Sequence, residues 1–441
     1  MLYPDEFLQA GGSRLLWDDI LLTSDQADVL SDSMAAAATA DESQRRKREI
    51  LRNARNFWPN QTIYYTTDDD SLTSSIRSLI QEATDHINSR SCITFTHFDK
   101  NSDQSPANDY ILIEGSSTGC FSNLGFVGGV QIINLEPRCA TIGIVEHELL
   151  HALGLYHEHS RVDRDSYVKV NQENIQNNRM GNFIRCNETG LGCIADYEYD
   201  YGSIMHYGSK AFTSNGRMTL EAVNMQFHGT YGTRTTHLSF LDLKQINTVY
   251  CSIASSHGPQ IHAATCVQEL QQQRCKNGGY ANPKNCSDCI CPEPFQGVSC
   301  EDRFQDAQSC GGILTAESTK KRVKYPDFPS GAKCVWIITS APGTQVRYGF
   351  HGIQLIYYTN SPLCQLQYVE ILDGDFENTG PRHCNTKNPT PAGGWISKTN
   401  KIAIILRDID DRYMPWKGID FFYEIGMASE LMILAEAVDL K

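Results

Sequence analysis

The stretch His147-Glu148-Leu149-Leu150-His151-Ala152-Leu153-Gly154-Leu155-Tyr156-His157 sets the reading of this chain. Positions 147 and 151 lie one helical turn apart, so on a helix both imidazoles project from one face toward a single ion. Gly154 lets the backbone leave that helix through a conformation costly for other residues, which returns His157 as a third ligand. Three ligands leave one position open, and an open zinc site lowers the pKa of bound water to about 7. Glu148, beside the first ligand, is placed to take the water's proton and pass it to a leaving amine. The chemistry is metal-assisted hydrolysis of a peptide bond. The bland alternative is a helix whose histidines only satisfy core hydrogen bonds. With 13 His and 33 Gly in 441 residues, the full pattern arises by chance in about one such chain in 20,000.

Around this segment, 441 residues with 40% apolar content are too many for one core, so several domains are expected. A formal charge of −14 repels phosphate, which argues against a nucleic-acid or anionic-membrane partner. Sixteen cysteines fall into clusters of six, six and four, the pattern of separate disulfide frameworks in an oxidising, extracellular compartment. Sequons at Asn60, Asn187 and Asn285 fit glycosylation there. No run of about 18 apolar residues is present to span a membrane. The first 30 residues hold no basic start followed by an apolar run, because Leu15-Leu16-Trp17 stops at Asp18-Asp19; we read the N-terminus as incomplete and its signal peptide as missing.

Residues 1–48 lack cysteine and end in Arg45-Arg46-Lys47-Arg48, which reads as a removable leader with a basic processing site. From Asn56 to Cys251 helical and strand patterns mix. Leu72–Asn88, with Leu72, Ile76, Leu79, Ile80, Ala83 and Ile87 on one face, predicts an amphipathic helix, and Tyr110–Glu114 and Gln131–Leu135 predict strands. Ser252–His262, with Gly258-Pro259, reads as a linker. Cys266 to Cys300 is too short for an apolar core, so disulfides must hold it. Strand-like runs at Cys334–Ser340, Tyr368–Leu372, Lys401–Leu406 and Ile419–Ile425 suggest a β-sandwich, and residues 426–441 a short terminal helix.

A second piece, Ser203-Ile204-Met205-His206-Tyr207, resembles the methionine turn beneath the metal in metzincins. Glu158 after the third histidine, Tyr207 closing the turn, Trp58-Pro59, Gly119-Cys120-Phe121-Ser122, Ser160-Arg161 with Asp163-Arg164-Asp165, and Tyr199-Asp200-Tyr201-Gly202 together resemble the astacins over residues 49–251. By that resemblance His147, His151 and His157 bind one zinc ion, Glu148 is general base and then acid, and Met205 supports the site. Tyr207 is implied to be a further zinc ligand at rest and an oxyanion donor during turnover. Cleavage after Arg48 would create an amino terminus at Glu49 that becomes buried against Glu158; Arg52 and Arg55 are alternative points. Leu15-Leu16-Trp17-Asp18-Asp19-Ile20 is similar to the latency element of astacin leaders, with Asp19 as the carboxylate on the zinc, although Leu16 and Asp18 depart from its aromatic and glycine positions. A helix cap or surface acid is the plainer reading of Asp19. His159 stands where the family has glutamine and Val162 where it has proline. Implied disulfides are Cys92–Cys251 and Cys120–Cys139, with Cys186–Cys193 as an added local pair.

Cys266, Cys275, Cys286, Cys289, Cys291 and Cys300, with Asn277-Gly278-Gly279-Tyr280, resemble an EGF-like module, which implies the pairs Cys266–Cys286, Cys275–Cys289 and Cys291–Cys300 among the 15 connectivities open to six cysteines. Cys310-Gly311-Gly312, Cys334-Val335-Trp336-Ile337 and Tyr368-Val369-Glu370-Ile371-Leu372-Asp373-Gly374 resemble a CUB domain, implying Cys310–Cys334 and Cys364–Cys384. Gln367 stands where a calcium-binding aspartate is usual, and Asp408 alone makes a poor site for a cation wanting six or more oxygens, so calcium dependence is not expected. The expected fold class is multidomain: an α+β metzincin protease domain, a small disulfide-rich EGF-like module and an all-β CUB sandwich. The expected organisation is a propeptide at 1–48, a catalytic domain at 49–251, a linker at 252–265, an EGF-like module at 266–301, a CUB domain at 310–425 and a tail at 426–441. The expected function is a secreted zinc endopeptidase, made as a zymogen, that cuts extracellular or matrix proteins, with the rear modules engaging protein partners. The alternative is a non-enzymatic adhesion protein that retains an inert protease fold.

Overall fold

Alternation in Thr62–Thr67 turns Ile63 and Tyr65 into the core and leaves Thr62 and Tyr64 exposed, as one buried face of a strand requires. The computed structural model describes residues 9–10, 13–16, 19–39, 57–100, 108–188, 197–232, 234, 236–251, 274–306, 310–326, 329–355, 363–384, 388–409 and 418–426. The basic tetrad at 45–48, Glu49, the linker at 252–265, Cys193, Cys266 and the tail from 427 onward lie outside them. The chain divides into two compact units, one of Met1–Met225, Tyr231–Gln272 and Ala281–Ser287, the other of Gln226–Thr230, Gln273–Tyr280 and Asp288–Lys441.

In the first unit, Thr62–Thr67 pairs in parallel with Thr94–His97 and with Tyr110–Glu114, and the latter pairs in parallel with Val130–Leu135. Cys120–Asn123 runs antiparallel to Val130–Leu135. The leader then extends the sheet: Ile20–Leu22 pairs in parallel with Cys120–Asn123, followed by Ser13–Leu16 and Gln9–Ala10, to give eight strands. The sequence reading assigned no secondary structure to this leader. Its strand holds because Ile20 and Leu22 are buried together with Leu30 of the helix Ser24–Thr39.

The amphipathic helix spans Ser74–Arg90, two residues later than its apolar pattern suggested, because the Thr73 side chain accepts the Ile76 N–H and caps it there. Ile76, Ile80, Ala83 and Ile87 are buried as expected. Leu79 is only half-buried, and Thr84 takes a core place by donating its hydroxyl to the Ile80 carbonyl at 2.9 Å. Each fully buried isoleucine contributes about 1.5–3 kcal/mol relative to exposure. Cys92–Cys251 joins the end of this region to the helix Phe240–Cys251, and Cys120–Cys139 ties the strand Cys120–Asn123 to the turn before the helix Ile142–Ala152.

The second unit is a β-sandwich. One sheet orders Gly311–Thr315, Lys333–Thr339, Lys401–Asp408, Gln367–Asp373 and Arg382–His383; the other orders Lys321–Tyr325, Gly418–Gly426, Gln345–Gln354 and Trp395–Ile396. The four strands expected here are present, and five that the sequence reading did not name (Gly311–Thr315, Lys321–Tyr325, Gln345–Gln354, Arg382–His383 and Trp395–Ile396) complete the two layers. Trp336, Ile338, Phe350, Ile404 and Phe421 fill the space between them. Lys401–Asp408 is apolar on both faces because Ala403 and Ile405 on the outer face pack with Phe295 and Cys300 of the disulfide-rich segment. That segment holds Cys275–Cys289 and Cys291–Cys300, and the sandwich holds Cys310–Cys334 and Cys364–Cys384. Cys186 and Cys286 are also disulfide-bonded.

Candidate active site

The helix Ile142–Ala152 carries the first two histidines. It starts at the Thr141 cap, and Gly143 is required near its start because a Cβ there would lie 2.6 Å from the Arg234 carbonyl oxygen. It ends where Gly154 adopts φ of 94°, the left-handed turn that reverses the chain. His147, His151 and His157 are all essentially inaccessible to solvent. Their rings cluster with centroids 4.5 Å apart for His147 and His151, and 4.8 Å apart for His151 and His157.

Two backbone carbonyls orient the imidazoles. Ile204 O lies 2.8 Å from His147 Nδ1 and Leu155 O lies 2.7 Å from His151 Nδ1, so each Nδ1 carries the proton and each Nε2 presents its lone pair inward. Burial first, and neighbouring positive groups next, push His147 and His157 well below the usual imidazole pKa and His151 down to about 3, which keeps the lone pairs available. His147 Nε2 and His157 Nε2 are 3.4 Å apart.

Asp19 of the leader enters this centre. Its Oδ2 lies 3.0 Å from His157 Nε2 and 3.5 Å from His147 Nε2, and its Oδ1 lies 4.0 Å from His151 Nε2. The ligand atoms of Asp19 and the three histidines all fall within 4.8 Å of one another. The backbone aims the carboxylate: Ser122 N–H donates to the Asp19 carbonyl at 2.9 Å, and Asn123 Nδ2 donates to the Leu21 carbonyl at 2.9 Å. Burial raises the Asp19 carboxyl to about 7 against the opposing pull of His151 and Arg234.

These residues fit a zinc ion. Asp19 Oδ1, His151 Nε2 and both carboxylate oxygens of Glu148 are buried without a hydrogen-bond partner, an arrangement that apolar packing would not retain and that a cation resolves. Burial, and the Asp19 charge after it, hold Glu148 well above the usual carboxylate range.

The turn Ser203–Tyr207 is pinned from behind by Asp242, whose carboxylate accepts Ser203 Oγ at 2.6 Å and the Ile204 N–H at 3.0 Å. Burial raises Asp242 to about 6. Sequence reasoning missed this acid; its one signal is a place in the first turn of the last helix. Met205 is buried, and its carbonyl accepts the Glu158 N–H at 3.1 Å. The Tyr207 ring lies 4.6 Å from that of His157 and stacks on His159 at 4.0 Å. Arg234 sits with its guanidinium 5.9 Å over the Tyr207 ring.

Glu158 is buried away from the imidazole cluster. Its Oε1 accepts Arg161 Nη1 at 3.0 Å and the Asp200 N–H at 2.8 Å; burial raises it to about 8, with Arg161 opposing. A small cavity lined by Tyr156, His157, Glu158, Arg161 and Gln245 adjoins it. Trp58 anchors the start of the described protease chain, donating Nε1–H to the Ala152 carbonyl at 2.8 Å. In the sandwich, Gln367 Nε2 donates to Asp408 Oδ2 at 3.1 Å where a calcium site would need oxygens. Asn60, Asn187 and Asn285 are exposed.

The model of the astacin peptidase family matches residues 50–251, and that of the CUB domain matches residues 310–415. Zinc metalloproteinase dpy-31 of Haemonchus contortus is 32% identical over 418 residues, which cover 92% of this chain and 70% of that protein. The chain belongs to the astacin family of zinc metallopeptidases. Zinc metalloproteinase dpy-31 of Brugia malayi is 33% identical over 91% of this chain, and this astacin spans 63% of that relative's length. Among solved structures, high choriolytic enzyme 1, a hatching enzyme zinc-protease from Oryzias latipes, is 32% identical over 44% of this chain and 94% of that one, with a TM-score of 0.39. Among the described residues of this astacin, no helix is long and apolar enough to cross a membrane.

Proposed function

We propose that this astacin is a secreted zinc endopeptidase held latent by its own leader. The observation that carries the reading is the Asp19 carboxylate among the three imidazoles, beside a buried Glu148 carboxylate with no hydrogen-bond partner among the described residues. Bound zinc supplies a Lewis acid that polarises the scissile carbonyl and acidifies water. Glu148 takes the water's proton and delivers it to the leaving amine, as a buried carboxylate with a raised pKa is suited to do. Tyr207, with its ring against His157, would be a further ligand to the ion at rest and would donate its phenolic O–H to the oxyanion in the transition state. Met205 supports the floor of the site through the turn that Asp242 pins.

In the precursor, Asp19 fills the position that water needs, and its strand covers the edge strand Cys120–Asn123. Cleavage after Arg48 frees Glu49 as an amino terminus. The cavity beside Glu158 supports capture of that amine, since a buried carboxylate with a raised pKa gains from an added positive partner. Arg234 supports a preference for an acidic residue just after the scissile bond; its charge is felt at Asp19 and at Glu148.

The substrates are extracellular or matrix proteins, and the disulfide-rich segment, read as EGF-like, packs with the CUB sandwich to position them. Partner binding there proceeds without calcium, since Gln367 already satisfies Asp408. The disulfides support secretion. The test is zinc-dependent hydrolysis of casein or gelatin after trypsin activation. Activity that is lost with a chelator and absent in Glu148→Ala supports the reading; equal behaviour of the two proteins leaves an adhesion role.

A further inference from the structure

Glu146, the residue before His147, points away from the catalytic centre and gathers a second set of metal-binding groups. On a helix, adjacent positions face directions about 100° apart. Glu146 is therefore turned toward the helix Ser74–Arg90 and the segment before the last helix. Its side chain is completely buried, and Oε1 lies 2.7 Å from His86 Nδ1 and 2.8 Å from His237 Nδ1. Oε2 accepts the Leu238 N–H at 2.6 Å, which fixes the carboxylate plane. The ligand atoms of His86, Glu146 and His237 all fall within 4.8 Å of one another, and the two imidazole rings lie 4.1 Å apart between centroids, tilted by 40°.

The plain reading is that both imidazoles donate Nδ1–H to one carboxylate oxygen. With His237 neutral, that reading leaves a mismatch. If neutral His237 carries its proton on Nδ1, its Nε2 is a lone pair, yet Nε2 lies 3.5 Å from Glu82 Oε1, which can only accept. An imidazolium at His237 would meet both carboxylates; a cation on the Nδ1 side does so as well, with His237 then carrying its proton on Nε2, toward Glu82. A carboxylate behind a ligating imidazole is the arrangement that fixes ring orientation at metal sites. Glu82 stands one helical turn before His86 on the same face, so one helix supplies a ligand and the group that orients its partner. His237 is 41% exposed, which gives an ion its route in.

We propose that His86, Glu146 and His237 form a second divalent-metal site, separate from the catalytic one. Two imidazole nitrogens and one carboxylate oxygen suit zinc or copper(II) and do not suit calcium or magnesium, which take oxygen ligands. The ion clamps the helix Ser74–Arg90 and the segment before the last helix onto the helix that carries the catalytic ligands. Three protein ligands and an exposed side make it weaker and more exchangeable than the catalytic centre.

The test is titration of the full chain, already holding one zinc per molecule, with further Zn2+ by calorimetry, with bound metal counted by mass spectrometry after gel filtration. The wild-type protein takes up a second equivalent. His86→Ala and His237→Asn bind it at least tenfold more weakly or lose it, while keeping the first equivalent, which also reports that they are folded. Asparagine at 237 retains a donor for Glu146 and removes the imidazole, so it separates ligation from packing. A wild-type protein that stops at one equivalent overturns the proposal, as does second-equivalent uptake by either variant equal to wild type.

Discussion

Asp19 Oδ2 and His157 Nε2 lie 3.0 Å apart, although 138 positions separate them in the chain. The leader thus reaches the centre of the catalytic cluster with a side chain, while its backbone is held to Ser122 and its strand to Cys120–Asn123. Replacing Asp19 by Ala removes the contact and leaves that strand pairing in place. A hydrogen bond to a charged group contributes about 1.5–3 kcal/mol, so uncleaved Asp19→Ala should gain roughly 10- to 100-fold in peptide hydrolysis over the uncleaved wild type. The measurement is initial rate on a quenched peptide with the chain intact by gel. No gain would leave Asp19 as a buried acid beside its strand, without a part in latency.

Tyr207→Phe keeps the ring against His157 and His159 and deletes the phenol. An oxyanion donor acts only in the transition state, so kcat should fall by about 10²- to 10³-fold with KM little changed. A variant that loses KM alone, or neither constant, would remove Tyr207 from the chemistry.

Arg234→Ala leaves Thr141 its backbone partner, because Thr141 Oγ1 donates to the Arg234 carbonyl and not to its side chain. Only the guanidinium beside Tyr207 is lost. In a peptide-library cleavage profile of the trypsin-activated enzyme, preference for Asp or Glu after the scissile bond should drop by about tenfold, the size of one charged contact. An unchanged profile assigns that pocket to another residue.

His383 gives the sandwich a dependence on pH. Burial lowers its pKa from 6.5 to about 4, its Nε2 is buried without a partner, and its ring stacks against Trp395. The folded form therefore resists protonation more than the unfolded form does. The stability tied to neutral His383 is fully present above about pH 6.5 and is lost as pH falls toward 4, at up to about 1.4 kcal/mol per pH unit. Calorimetric unfolding of the chain between pH 7 and 4 should show the sandwich transition moving down, and His383→Gln should flatten that slope. An unaltered slope in the variant would place the titration elsewhere.

The zinc helix was legible because its pattern and its physics are both local, whereas the methionine turn and the cysteine pairings, such as Cys92–Cys251 across 159 positions, came through resemblance. Spacing of four on a helix aims two imidazoles, a glycine frees a turn, and the CUB strands show themselves as short apolar runs. The start of the helix at Ser74 was misjudged for an equally local reason: Thr73 interrupts an apolar run that Leu72 had begun. Asp242, Ile204 O and Leu155 O were not legible. Backbone carbonyls carry no residue signature, and an acid at a helix start ordinarily reads as a cap.

By itself the sequence determined that three imidazoles and one carboxylate would share a helix and its exit turn, since 3.6 residues per turn and a left-handed glycine leave them little other arrangement. The resemblance already named Asp19 as a ligand, but only the tertiary structure brought it to that cluster, stood Arg234 over Tyr207, and gathered His86 and His237 around Glu146. Those meetings depend on strand pairing and helix packing between segments far apart in the chain, where the closing of long loops is set by the whole core and by no short pattern.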